Sequence, residues 1–112
     1  MKTIERTELV ESLSDGKPIA LLEALPPKYF NQGHLPGAQQ LDFTNAVAHA
    51  VRLKISKDDR VVVYCANENC PNSHQAADAM TSAGYSNVSV YVGGKKDWTA
   101  AGLVLEGIRE VA

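Results

Sequence analysis

The sequence predicts an α/β layer fold on a mainly parallel sheet, and two observations carry that reading. Continuous apolar runs of strand length recur along the chain: PIALLE at 18–23, RVVVY at 60–64 and VSVYV at 88–92. Runs of this kind, unbroken by alternation, belong to strands buried on both faces, as parallel sheets require. Between them lie stretches with apolar residues at helical spacing, and strands alternating with helices build parallel crossover units.

Each element follows in order. Thr7 is expected to cap a short helix whose Leu9, Val10 and Leu13 share one face, with Asp15-Gly16 ending it. Residues 18–23 form the first expected strand. Pro26-Pro27 and residues 33–37 punctuate the chain, with a weak helical turn at Lys28-Tyr29-Phe30 between them. Residues 38–41 read as a short strand. Residues 44–53 read as a helix with Ala46, Val47, Ala50 and Val51 on one side. Asp58-Asp59 turns the chain into residues 60–64, the strongest strand signal present. A helix is expected at 73–83, with the mostly small residues Ala76, Ala77, Met80 and Ala83 inward and Gly84 as its stop. Residues 88–92 give a further strand, and Gly93-Gly94 leads into a last helix around 95–101.

The 112 residues show no break in composition, so one domain spanning 1–112 is expected. Apolar residues make up 45%, enough for a core without disulfide staples. A net charge of -2 and the lack of any basic stripe give no reason to expect nucleic acid or an acidic membrane as partner. The opening residues show no long apolar stretch and no cleavage site, so a cytoplasmic protein is expected. There, paired cysteines point to redox, sulfur or metal chemistry more than to structural disulfides.

In parallel sheets, chemistry sits just beyond the carboxyl ends of the strands. Cys65 follows the strongest strand directly and opens the stretch CANENCPNS, comprising Cys65, Ala66, Asn67, Glu68, Asn69, Cys70, Pro71, Asn72 and Ser73. Asn67 and Asn69 tolerate left-handed backbone, and Pro71 fixes a turn. Asn72 or Ser73 is expected to cap the following helix; with Asn72 there, Gln75 completes a capping box. The unpaired amides of that first turn and of the loop make an anion site. A thiolate held there should be favoured, so the pKa of Cys65 is expected to fall. The competing reading is a buried, inert cysteine at a strand end.

Cys70 lies close enough along the loop to reach Cys65. It is either a resolving thiol, attacking a persulfide, sulfenate or arsenic adduct on Cys65, or a loop residue of no chemical consequence. Cys65, Cys70 and His74 also offer three soft ligands, but structural zinc takes four and the fourth is missing locally, so no metal site is expected. His74 reads as an exposed or supporting residue. No cofactor is expected.

Several segments together resemble the rhodanese-like family. GHLPGA at 33–38 is similar to that family's GHxPGA signature, LLEAL to its strand ending in an acid, and VVVYC to the strand leading to its catalytic cysteine. SAGYSNVSVYVGGKKDWTAAGLVLEG is similar to its C-terminal signature of a double glycine before a tryptophan. The pieces keep the family's order from about residue 4 to 107. The resemblance implies a three-layer fold, a central parallel sheet of about five strands with helices on both faces. It also implies sulfurtransferase chemistry: Cys65 accepts a sulfane sulfur as a persulfide, amides of residues 66–73 cradle it, and a thiol, cyanide or protein acceptor takes it away.

The loop departs from the pattern. Family members often carry C-x-x-G-x-R before a Ser or Ala, whereas here the loop is two residues longer and holds no glycine, arginine or lysine. Glu68 adds an acid, which should oppose an anionic donor and raise the pKa of Cys65. Thiosulfate is therefore expected to be a poor donor. Lys28, Lys95 and Lys96 are the nearest candidate cations. Glu23 stands for the family's usual aspartate and Leu25 for its arginine, leaving the bracing of the loop open. His34, Pro36 and Gly37 read as turn architecture and Trp98 as core. Two other functions compete: a dithiol redox or arsenate-reducing enzyme using Cys65 and Cys70, and a non-catalytic protein-binding module. Phosphatases of related fold need an arginine where Pro71 stands.

Overall fold

A computed structural model describes residues 2–107. Strands β1 (Lys2–Ile4), β2 (Ala20–Glu23), β3 (Gln39–Gln40), β4 (Val61–Tyr64) and β5 (Val88–Tyr91) form one five-stranded sheet in the order β1-β5-β4-β2-β3. Every pairing is parallel. Parallel neighbours need long crossovers, and the helices supply them: α1 (Arg6–Ser14), α2 (Pro27–Asn31), α3 (Ala46–Arg52), α4 (Asn72–Ser82) and α5 (Gly94–Ala100).

Side chains alternate between the two faces of each strand, so the central strand feeds two cores. Val61 and Val63 pack with Ala46 and Ala50 of α3 and with Ala76, Ala77 and Met80 of α4. Val62 and Tyr64 pack on the other side with Leu9 of α1, Leu35 and Trp98 of α5. All four residues of β4 are buried, as its unbroken apolar run predicts. The expected three-layer α/β fold is the one observed.

Several local expectations are corrected. β1 has no counterpart in the sequence reading, because an edge strand of three residues with only Ile4 buried leaves no apolar run. Helix α1 starts at Arg6 with Glu5 at its cap, so Thr7 lies inside the helix and caps nothing. A 3-10 turn, Phe43–Asn45, precedes α3 and is capped by the Asp42 side chain. In the shortened helix Ala46 and Ala50 face inward, while Val51 is 60% exposed. Helix α4 has Pro71 at its cap with no side-chain cap bond, so Asn72 does not form the expected capping box.

The register aligns the carboxyl ends of the strands. Ile4 pairs with Tyr91, Tyr91 with Tyr64, Tyr64 with Glu23 and Glu23 with Gln40, a single row across the sheet. The GHLPGA turn is fastened to Glu106. His34 and Glu106 exchange backbone bonds of 3.0 and 2.9 Å, and the Gly37 amide donates to Glu106 Oε1 at 2.6 Å. The His34 ring stacks on Phe30 with centroids 3.9 Å apart. Trp98 is buried and donates to the Val104 carbonyl at 3.0 Å.

Candidate active site

Cys65 is the first residue beyond β4, flanked by the ends of β2 and β5. It is 1% exposed. Two layers hold it. Beneath lies α5, whose first turn donates from Lys95 N to the Cys65 carbonyl (3.0 Å) and from Lys96 N to the Ala66 carbonyl (2.9 Å). Such bonds need the helix start to press against the loop, and Gly94 makes this contact at φ +63°. A Cβ at this position would overlap the Cys65 carbonyl oxygen and stand 3.0 Å from Asn67 N, which explains the second glycine of the pair.

The same lysine braces the site through its side chain. Lys95 Nζ donates to the Tyr29 carbonyl at 2.8 Å and pairs with Glu23 Oε1 at 2.9 Å. Tyr64 donates to the same Glu23 oxygen at 2.9 Å and accepts from Leu35 N at 3.0 Å. Glu23 is fully buried, and its Oε2 has no hydrogen-bond partner among the described residues. Burial pushes its pKa up, outweighing the pull of Lys95 and Tyr64 the other way. Burial also drives the Tyr64 phenol far above its ordinary value, reinforced by the Glu23 charge. This polar cluster supplies the brace that Leu25 cannot. Its signal in the sequence was an acid ending one apolar strand and a tyrosine ending the next, since groups buried there must pair with something.

Above Cys65 the loop folds back on itself. The Asn69 amide donates to Asn67 Oδ1 (2.9 Å) and the Cys70 amide to the Asn67 carbonyl (3.2 Å), a turn that Asn67 closes with side chain and backbone together. The turn carries the Cys70 carbonyl to 3.4 Å from Cys65 Sγ, where the thiol donates to it. Ser73 Oγ lies 3.3 Å from the same sulfur. Both cysteines are free.

The sulfur is less acidic than the loop's composition predicts. Burial pushes the Cys65 thiol up to about 11, and contact with the Cys70 thiol adds to the rise, while Ser73 pulls it down. Only one residue of the helix start reaches the sulfur, and one donor set does not offset desolvation. Ser73 therefore acts not as a helix cap but as the sulfur's polar partner.

The other loop residues are dispersed. Glu68, Asn69 and Pro71 are exposed, whereas Ala66, Asn67, Cys70, Asn72 and His74 are half-buried. Of the candidate cations, Lys95 is committed to Glu23, Lys28 lies over the Tyr29 ring, and Lys96 lines a shallow groove with Glu68 and Asp97. Among the described residues, no three of His, Cys, Asp and Glu gather to hold a metal ion. No helix there is long and apolar enough to cross a membrane.

A strand-end cysteine beneath a curled loop, on a sheet ordered β1-β5-β4-β2-β3, matches a known family over residues 5–101, described as the rhodanese-like domain. The chain belongs to the rhodanese-like family. Its fold superposes on the rhodanese-like domain of the Alr3790 protein from Anabaena sp. with a TM-score of 0.84 at 28% identity, covering 100% of this chain and 86% of that one. A rhodanese from E. coli, solved with anions, gives 0.60 at 27% identity over 71% of this chain and 91% of its own. The thiosulfate sulfurtransferase from Pseudomonas aeruginosa shares the fold at 20% identity and a TM-score of 0.83; 97% of this chain aligns with 21% of that larger one. Among curated protein sequences none matches.

Proposed function

We propose that this rhodanese-like domain is a sulfurtransferase that takes a sulfane sulfur onto Cys65 as a persulfide and passes it to a thiophilic acceptor. The observation that carries the reading is the setting of the Cys65 sulfur, directly beyond the central strand and bonded by Ser73 at the start of α4. Once the thiol has lost its proton, a hydroxyl at this distance can donate to the sulfur and favour its charged form. In the resting loop, the Cys70 carbonyl holds the thiol proton and burial opposes ionisation. Moving that carbonyl aside would free the proton and open the sulfur to a donor, with Ser73 left in place.

Loading forms a bond from Cys65 Sγ to the donor's outer sulfur as the donor departs with its bonding pair. Delivery repeats the displacement, with an acceptor thiol, cyanide or protein thiol attacking the outer sulfur and Cys65 leaving. Glu68 is the one charged side chain in residues 66–73, so the loop offers an anionic donor no cation. Persulfides of thiols are the better donors on this reading, and thiosulfate a poor one. Two free cysteines fit a reducing compartment such as the cytoplasm.

The fold of the loop that brings the Cys70 carbonyl to 3.4 Å from the Cys65 sulfur favours a second reading, a dithiol–disulfide redox enzyme. Intact-protein mass spectrometry separates the two. After glutathione persulfide, Cys70→Ser should gain one sulfur on Cys65, and Cys65→Ala should gain none. No adduct on Cys65 in Cys70→Ser would sink the sulfurtransferase reading and favour a non-catalytic binding module. Efficient steady-state turnover of thiosulfate would overturn the choice of donor.

A further inference from the structure

The loop's second sulfur has a use that simple sulfur transfer does not require. We propose that Cys70 discharges the Cys65 persulfide within the molecule, forming a Cys65–Cys70 disulfide and releasing the outer sulfur as hydrosulfide. The inference rests on Cys65 carrying a persulfide.

Geometry supplies the first argument. The turn closed by Asn67 lays Cys70 over Cys65, with its carbonyl 3.4 Å from the Cys65 sulfur. Four residues separate the two cysteines, a loop short enough for closure to cost little. Cys65 is buried and Cys70 only half-buried, so the buried sulfur is the one reached from above.

Leaving-group chemistry supplies the second. Attack by Cys70 on the outer sulfur would only pass that sulfur from one loop thiol to the other and release nothing. Attack on the inner sulfur expels hydrosulfide, the base of a stronger acid than an alkyl thiol, and the better leaving group departs faster. Charge on the outer sulfur also turns an anionic nucleophile toward the inner one. In the step, the Cys70 thiol passes its proton to the outer sulfur, its own sulfur bonds to Cys65 Sγ, and the bond to the outer sulfur breaks with its electron pair. One persulfide anion and one thiol become one disulfide and one hydrosulfide anion, so atoms and charge balance. The outer sulfur is reduced as the Cys70 sulfur is oxidised, and a small thiol or dithiol reductant reopens the disulfide for another cycle. The domain would thus release sulfide from sulfane sulfur at the expense of thiols.

The test is an anaerobic single turnover with benzenethiosulfonate, whose leaving group is a sulfinate and which yields no hydrosulfide itself. Wild type should release one hydrosulfide per chain and lose two hydrogens in mass. Cys70→Ser should instead keep the added sulfur on Cys65, with hydrosulfide release slowed by roughly tenfold or more. A wild-type persulfide that persists as long as that of Cys70→Ser would overturn the proposal while leaving sulfur transfer intact. Failure of Cys70→Ser to take up sulfur from this donor and from glutathione persulfide would overturn both.

Discussion

The two sides of Cys65 are built on opposite plans, and two glutamates mark the difference. Beneath the sulfur, Glu23 is fully buried and shares one oxygen between Lys95 and Tyr64, with Lys95 tied in turn to the Tyr29 carbonyl. Above it, Glu68 is exposed at the tip of a loop held by the Asn67 turn. Buried charges need defined partners, so the lower side has one arrangement. The upper side has few bonds to lose and can move without exposing a core. A fixed base under a movable cover suits a nucleophile that is buried at rest and must meet a donor.

Breaking the base should have the largest effect. Glu23→Ala leaves Lys95 and Tyr64 without their common acceptor and should cost about 3–5 kcal/mol in urea unfolding. Replacing the pair together, Glu23→Leu with Lys95→Met, should recover most of that loss, because an apolar pair of similar volume removes the desolvation cost as well. A single-mutant cost below about 1 kcal/mol would show that the base is no more committed than the loop above it.

That contrast also separates what the sequence made legible from what it did not. The layers and the position of Cys65 follow from runs such as RVVVY, because burial on both faces leaves a continuous apolar trace. β1 left no such trace, with one buried residue at an edge. The two layers around the sulfur depend on partners far apart in the chain: Glu23 with Lys95, and Gly94 with the Cys65 carbonyl. Lys95 was visible as a cation, but nothing local says that it is spent on Glu23. The pKa of Cys65 was misjudged for a related reason. Counting amides in a loop measures the donors available, whereas the depth of the sulfur and the aim of the Cys70 carbonyl are three-dimensional facts.

Gly94 joins the two sides, so Gly94→Ala should uncouple them. The substitution forces a side chain onto a positive φ and into the start of the loop. It should cost about 1–3 kcal/mol in stability. Sulfur loading of Cys65 should fall by roughly tenfold to a hundredfold, since the loop must shift relative to the base. Normal loading at reduced stability would mean that the loop tolerates displacement without losing its geometry.

Ser73 tests the sulfur itself. The thiol's raised pKa means that alkylation by iodoacetamide should speed up about tenfold per pH unit between pH 7 and 10, as the thiolate fraction grows. The folded state holds this proton more tightly than the unfolded chain. Its contribution to stability is therefore full below pH 9 and is lost as the pH rises through about 11. Ser73→Ala removes a contact that lowers the pKa, so the alkylation profile should move to higher pH, for a loss of about 1 kcal/mol in stability. A shift to lower pH would mean that the hydroxyl stabilises the thiol.

The smallest effect is expected at Glu68, and its smallness is the point. An exposed carboxylate acts on a passing anion through water and salt, so Glu68→Gln should raise the rate of sulfur uptake from thiosulfate only about two- to fivefold at low ionic strength. The gain should fade as salt approaches about 1 M, where screening reaches only a few ångströms. Stability should not change, in contrast to Glu23→Ala. If Glu68→Gln instead alters unfolding as strongly as a buried pair would, the loop is anchored through that side chain and the cover is not free to move. If the rate gain survives high salt, Glu68 closes against the sulfur's environment at some stage of the reaction, and the two glutamates are less different than their resting positions make them.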